Sequence, residues 1–182
     1  MGSEGADGRA RLSGNTLKHF RRGRYLAEGN KAYYTSSAIA RRCFLVRDLG
    51  IREATTLFWS LASNSGESIT KDEYTELMTY VAQVLVGGAL SDADIAAAIE
   101  MDWQKDLKRS EKSGHRNELS VADLHLSLYE LADVWVDGIN GAKYAAFLLS
   151  LLYCVASKTR RGNWVFKEFS EVRRSVGQSD CI

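Results

Sequence analysis

The sequence predicts an all-α protein, and three observations carry that prediction. Its 182 residues include no proline, where average usage of about 5% would supply roughly nine. Nothing therefore imposes the ring that breaks a helix interior. Ala, Leu, Glu, Lys and Arg are plentiful, and apolar residues recur every three or four positions between short polar breaks. This length suits one domain with a real core, or two small helical lobes sharing one.

Residues 1–14, "MGSEGADGRARLSG", are small, polar and glycine-rich, which reads as a disordered or extended tail. A basic helix is expected over 15–28, capped by Asn15 or Thr16. Ser36 or Ser37 is placed to cap a second, 37–48, with Ile39, Cys43, Phe44 and Val46 to Leu49 as its apolar stripe and Gly50 as its end. Further helices are expected over 51–61, 70–86, 91–110, 119–132, 141–156 and 164–174. The intervening breaks at Ser63–Ser68, Gly87–Gly88, Ser110–Glu118, Val136–Gly138 and Thr159–Asn163 all hold turn-forming residues. Ser91 and Ser120 each precede acidic first-turn residues, as helix caps do. The expected division is a tail over 1–14, basic N-terminal helices over 15–50, a helical domain over 51–156, and a C-terminal helix and tail over 157–182.

Net charge is +1, yet it is unevenly spread. Lys plus Arg against Asp plus Glu runs 10 to 4 over residues 1–50, 2 to 8 over 51–100, 6 to 8 over 101–150 and 6 to 3 over 151–182. Basic ends suit an acidic partner surface. Cys43, Cys154 and Cys181 are odd in number and unpaired in spacing, which fits a reducing cytoplasm better than a disulfide framework or a zinc site. No apolar run reaches the length of a membrane span, and no apolar signal segment follows Met1.

Chemistry concentrates at "LFWSLASNSGESITKDEYTELM", Leu57 to Met78. An EF-hand loop holds calcium through oxygens at positions 1, 3, 5, 7, 9 and 12, with glycine at 6 and a bidentate glutamate at 12. With Ile69 at the apolar position 8, Ala62 falls at 1, Asn64 at 3, Gly66 at 5, Glu67 at 6 and Glu73 at 12. Asn64 and Glu73 keep their oxygens, Ala62 has none, and the glycine is one place early. The flanks fit better: Phe58 and Leu61 before the loop, and Tyr74 and Leu77 after it, have the spacing that turns two helices' apolar faces together. A helix–loop–helix without calcium is the expectation.

The stretch Asp102 to Leu151 resembles the divergent EF-hand proteins of protists and cilia. Trp103, Asp106, Leu119, Leu128 to Asp133, Trp135, Ile139, Tyr144 and Phe147-Leu148 carry the resemblance, and with 57–78 it spans about 100 residues. It implies that Asp106 opens a second loop, with Leu119 at position 8 after a six-residue insertion. Lys108 to Arg116 would repel a cation there. A third loop around Ile139 would place Ala132, Val134 and Val136 at its first ligand positions and Lys143 at position 12. The resemblance thus implies an EF-hand-like lobe with an N-terminal helical extension and degenerate calcium loops.

No phosphate loop, nucleophile elbow or metalloprotease motif is present. His19, His115 and His125 are scattered, so no catalytic residue, cofactor or metal is expected. Lys18, Phe20, Arg21, Arg22, Arg24 and Tyr25 interleave cations with aromatic rings, a pattern suited to an acidic protein surface more than, at near-neutral pI, to nucleic acid. The function expected is a non-catalytic scaffold of a cytoskeletal assembly, in particular the microtubules of a ciliary or flagellar axoneme. Its protein partners would be tubulin or other axonemal proteins, with no membrane. The alternative is a calmodulin-like calcium sensor acting as a signalling adaptor.

Overall fold

The computed structural model describes residues 35–111 and 117–175. They form α1 (Ser36–Leu45), α2 (Leu49–Ala62), α3 (Lys71–Val86), α4 (Asp92–Glu111), α5 (Val121–Trp135), α6 (Gly141–Val155), β1 (Ala156–Lys158), β2 (Trp164–Phe166) and α7 (Phe169–Ser175). The chain is mostly helical, as its composition implies. The helix expected over 15–28 lies outside the described residues. Among the described residues, no helix is long and apolar enough to cross a membrane.

Short polar side chains fix where the helices begin. Thr70 and Ser120 each open a helix with a reciprocal capping box, closed by Glu73 and Asp123 respectively, and Asn140 caps α6 through the Lys143 amide. Such caps are worth about 1 kcal/mol each. Two expectations at the N-terminal end are corrected. The cap of α1 is Thr35, whose hydroxyl accepts from Ala38 N at 3.2 Å. Gly50 does not end that helix but lies inside α2, because Asp48 accepts from Ile51 N at 3.2 Å and starts the new helix early. Tight turns from Arg47 N to Phe44 O and from Asp48 N to Leu45 O have already closed α1.

The C-terminal segment departs furthest from expectation. At Ala156 the chain leaves the helix and pairs antiparallel with β2, in the register Ala156–Phe166, Ser157–Val165 and Lys158–Trp164. Trp-Val-Phe favours a half-buried strand over a helix, and Gly162 supplies the positive φ of +86° in the turn. Trp164 is buried, Val165 points outward, and Phe166 stacks on Tyr80 at 4.6 Å. Phe169 meets the same tyrosine edge-on at 5.2 Å, so α7 lies over α3 with Val172 buried beneath it.

The core is continuous. Helix α2 packs along α6 and α5, while α3 packs along α4. Phe58, Tyr74, Leu77, Leu128, Leu131, Tyr144 and Leu148 are fully buried, and Leu61 is half-buried. All were expected at packing positions. Each large apolar side chain so buried contributes about 1.5–3 kcal/mol.

Between the two helical pairs, α2–α3 and α4–α5, the connecting loops lie side by side. Ile69 N donates to Leu119 O at 2.9 Å, and Leu119 N donates to Ile69 O at 2.9 Å, in an antiparallel bridge. Both side chains are completely buried. Ile69→Ala should therefore cost about 2–5 kcal/mol in urea unfolding, whereas Leu49→Ala, at a side chain left 70% exposed, should change stability by less than about 0.5 kcal/mol.

Candidate functional site

The paired loops are built around two carboxylates that face their own backbone. In the first, Glu73 Oε1 accepts from Asn64 N at 2.8 Å. Its Oε2 accepts from Thr70 N at 2.8 Å and from the Thr70 hydroxyl at 2.9 Å. Glu73 thus clasps both ends of the loop. Serines stitch the middle: the Ser63 hydroxyl donates to Ser68 O at 2.7 Å and accepts from Gly66 N at 3.0 Å. Gly66 adopts φ +76°, a conformation glycine takes without Cβ strain.

The second loop repeats the device. Asp123 Oδ2 accepts from Ser120 N at 3.0 Å, from the Ser120 hydroxyl at 2.6 Å and from the Ser110 hydroxyl at 2.9 Å. Ser110 stands in the last turn of the incoming helix, so this carboxylate also links the two sides of its loop. Asp123 was not singled out in the sequence, although the spacing Ser120-x-x-Asp123 is a capping signature.

Asp106 does not open this loop. It is fully buried within α4, accepts from the Tyr74 hydroxyl at 3.0 Å and pairs with Arg109. Arg109 also donates to Glu130 at 2.9 Å, as does Lys105. The six residues expected as an insertion begin as further helix: Ile99, Trp103, Asp106 and Ser110 are all buried on one face, which carries α4 on to Glu111. Burial and the neighbouring Asp106 and Asp102 together push the Tyr74 phenol well above its ordinary pKa. Tyr74 is thus a hydrogen-bond donor at any working pH. Its ring also tilts against Trp103 at 5.3 Å.

The third loop, around Ile139, is not paired with another. Among the described residues the isolated bridges are Ile69–Leu119 and Gly87–Leu90, and Ile139 is only half-buried. What lies there is a helix junction. Asp133 Oδ1 accepts from Arg42 Nε at 2.7 Å and from the Tyr144 hydroxyl, while the Tyr129 hydroxyl donates to Arg42 O at 2.8 Å. One carboxylate thereby joins α1, α5 and α6.

His125 makes a second attachment of α1. Its Nε2 lies 2.7 Å from Val46 O, an oxygen that can only accept, so Nε2 carries the proton. Its Nδ1 lies 2.8 Å from the Thr55 hydroxyl. The ring is a structural tie between the α1–α2 corner and α5, with both nitrogens engaged. Beside it opens a cleft of about 170 Å³, walled by Val46, Arg47, Arg52, Thr56 and Val121.

The donor set of the first loop does not fit a divalent cation. Ala62 is buried and offers no side-chain oxygen, Asn64 and Glu67 are exposed, and both Glu73 oxygens accept hydrogen bonds from the chain. Among the described residues, no group of three or more His, Cys, Asp or Glu side chains is arranged to hold a metal ion. Lys18, Phe20, Arg21, Arg22, Arg24 and Tyr25 lie outside the described residues.

Comparison with protein-family models, with curated proteins and with solved structures finds no match.

Although burial acts to raise Glu73, the Thr70 and Asn64 donors outweigh it and hold the carboxyl below its ordinary value. A group with a depressed folded pKa stabilises the fold above its unfolded value, about 4.3 for glutamate, and that share is lost as pH falls through the lower folded value. Thermal melting at pH 7 and pH 3.5 should therefore show a larger acid loss for the wild type than for Glu73→Gln. The variant should already melt lower at pH 7.

Proposed function

We propose that helices α2 to α5 form an EF-hand-like lobe that works as a calcium-independent packing module, in a non-catalytic scaffold protein of a cytoskeletal assembly. The observation that carries this reading is the reciprocal Ile69–Leu119 bridge, placed at the apolar eighth position of each loop and flanked by helical pairs. A pair of hands joins its loops in this way. The ligand positions support use without an ion. Glu73 and Asp123, counted as position 12 in their loops, act as clasps for backbone and hydroxyl donors, and Ala62 replaces the first ligand.

The axoneme is the assembly proposed, with tubulin or another axonemal protein as partner. Two considerations support it: the resemblance of 102–151 to proteins of cilia, and basic ends whose sign suits tubulin's acidic surface. Residues 1–30, with Lys18, Arg21, Arg22 and Arg24, would lie against that surface, with Phe20 and Tyr25 adding apolar contact. Individual exposed ion pairs contribute only ~0.2–1 kcal/mol, so several must act together.

Two measurements test the proposal. Calorimetric titration with calcium at physiological salt should give no heat; a micromolar site abolished by Glu73→Gln would instead establish the calcium sensor. A tagged copy in a flagellated cell should stay with the detergent-extracted axoneme and be released when residues 1–30 are deleted. Full-length protein washing out with the soluble fraction would sink the scaffold reading.

A further inference from the structure

We propose that the cleft between the α1–α2 corner and the start of α5 binds an acidic peptide segment of a partner protein, whose carboxylates are gripped by Arg47 and Arg52. This names the chemistry of a partner for the lobe and rests on its role as a packing module. The surface lies outside residues 1–30 and outside the paired loops.

Arg42 pairs with Asp133, Arg109 with Asp106 and Glu130, and Arg173 with Asp92. Arg47 and Arg52 are exposed and make no ion pair with any described residue, yet they wall one cleft, Arg47 from the α1–α2 turn and Arg52 from the first turn of α2. Arg41, Arg160, Arg161 and Arg174 are likewise exposed and without an ion pair to a described residue, so it is a shared cleft, not pairing alone, that distinguishes Arg47 and Arg52. Asp48, next to Arg47, is committed elsewhere: it caps α2 through Ile51 N. It also lies so close to the start of α6 that a Cβ on Gly141 would come within 2.4 Å of Oδ2. Two planar forks facing one cavity suit bidentate capture of carboxylates.

The walls are fixed before any ligand arrives. His125 bridges Val46 O and Thr55, and the Thr56 hydroxyl donates to Arg52 O at 2.8 Å. The hydroxyls and the imidazole therefore set the cleft's shape, and the guanidinium groups remain available to a ligand. Such preorganisation reduces the ordering cost of binding.

Apolar residues at the rim select peptide over polyphosphate. Phe44 is 74% exposed, Leu49 70% and Val121 51%. Leu49, Arg52 and Thr56 follow one another at helical spacing on one face of α2, and Phe44 stands one turn before Arg47. Val121 lines the cleft itself. An acidic segment with interspersed Leu or Phe satisfies both the cations and this apolar rim. A nucleic-acid backbone would satisfy the cations but leave the apolar side chains uncovered.

The test uses the full chain and a fluorescein-labelled synthetic peptide of alternating Glu-Glu-Leu units, followed by anisotropy at low and physiological salt. Binding should appear, weaken as salt rises, and vanish for the same peptide with Gln in place of Glu. Arg47→Gln combined with Arg52→Gln should weaken it by about tenfold or more, while Arg173→Gln on α7 should leave it unchanged. On the unmutated protein, the His125 ring signals in NMR spectra should shift with the Glu peptide and not with the Gln peptide. Any of three results overturns the proposal: no binding at low salt, undiminished binding by the double variant with His125 silent, or displacement of the peptide by a DNA duplex at equal concentration. Because no filament is involved, loss of peptide binding counts against this cleft whether or not the protein stays with extracted axonemes.

Discussion

Neither connecting loop can move without the other, because Ile69 and Leu119 exchange both of their backbone hydrogen bonds and bury both side chains. Pairing of this kind leaves a buried amide or carbonyl unsatisfied if either loop shifts, at a cost of about 1–3 kcal/mol per group. The register of the two loops therefore sets where α3 and α5 begin. Tyr74 follows Ile69 by little more than one helical turn and brings its hydroxyl to Asp106; Asp123 follows Leu119 by four residues and brings its carboxylate to Ser110. The polar interior between α3, α4 and α5 is consequently a product of that single register.

The carboxylates around this register have a shared logic. Glu73, Asp106, Asp123 and Asp133 each accept from two or more donors on different segments. In the three that are most buried, a neutral amide or hydroxyl does at least part of the work that a full counter-charge would do. A buried carboxylate is expensive unless its lone pairs are met, and hydrogen bonds to the charged form supply that compensation without the desolvation of a second ion. Loops organised this way are closed by the chain itself. The same geometry limits what they can do chemically, since a cation would have to displace amide donors from Glu73 while gaining nothing from Ala62.

The helical elements were largely legible because their signals are local. Ser120 and Asp123, or Thr70 and Glu73, announce a helix start within four residues, and the buried positions of α2 and α3 follow the 3.6-residue period. Three features were not legible, each for a non-local reason. Asp106 matched a loop-opening position in the motif, but Tyr74, thirty-two residues earlier, supplies the donor that lets it stay inside a helix. Trp164 to Phe166 had a helical neighbour on each side, and its pairing with β1 and the stacking of Phe166 on Tyr80 of α3 are what make a strand there worthwhile. Gly50 carried a stop signal, which the Asp48 cap overrode by restarting the helix around it. Of the candidate site, the loop positions were visible in sequence, whereas the tie through His125 and the open pair Arg47 and Arg52 depend on α1 folding back onto α5.

That fold-back of α1 onto α5 also shapes the arginine cleft. Helix α1 is held by side chains rather than by a long apolar face: Ala38 is its one buried residue, while Arg42 with Asp133, Tyr129 with Arg42 O, and His125 with Val46 O fasten its C-terminal half. Hydrogen bonds and ion pairs are directional where apolar packing is not, so three such attachments fix the rotation of α1 as well as its position. The rotation decides which residues face outward. With Arg42 turned inward to Asp133, Phe44 and Arg47 are left on the solvent side beside Leu49 and Arg52.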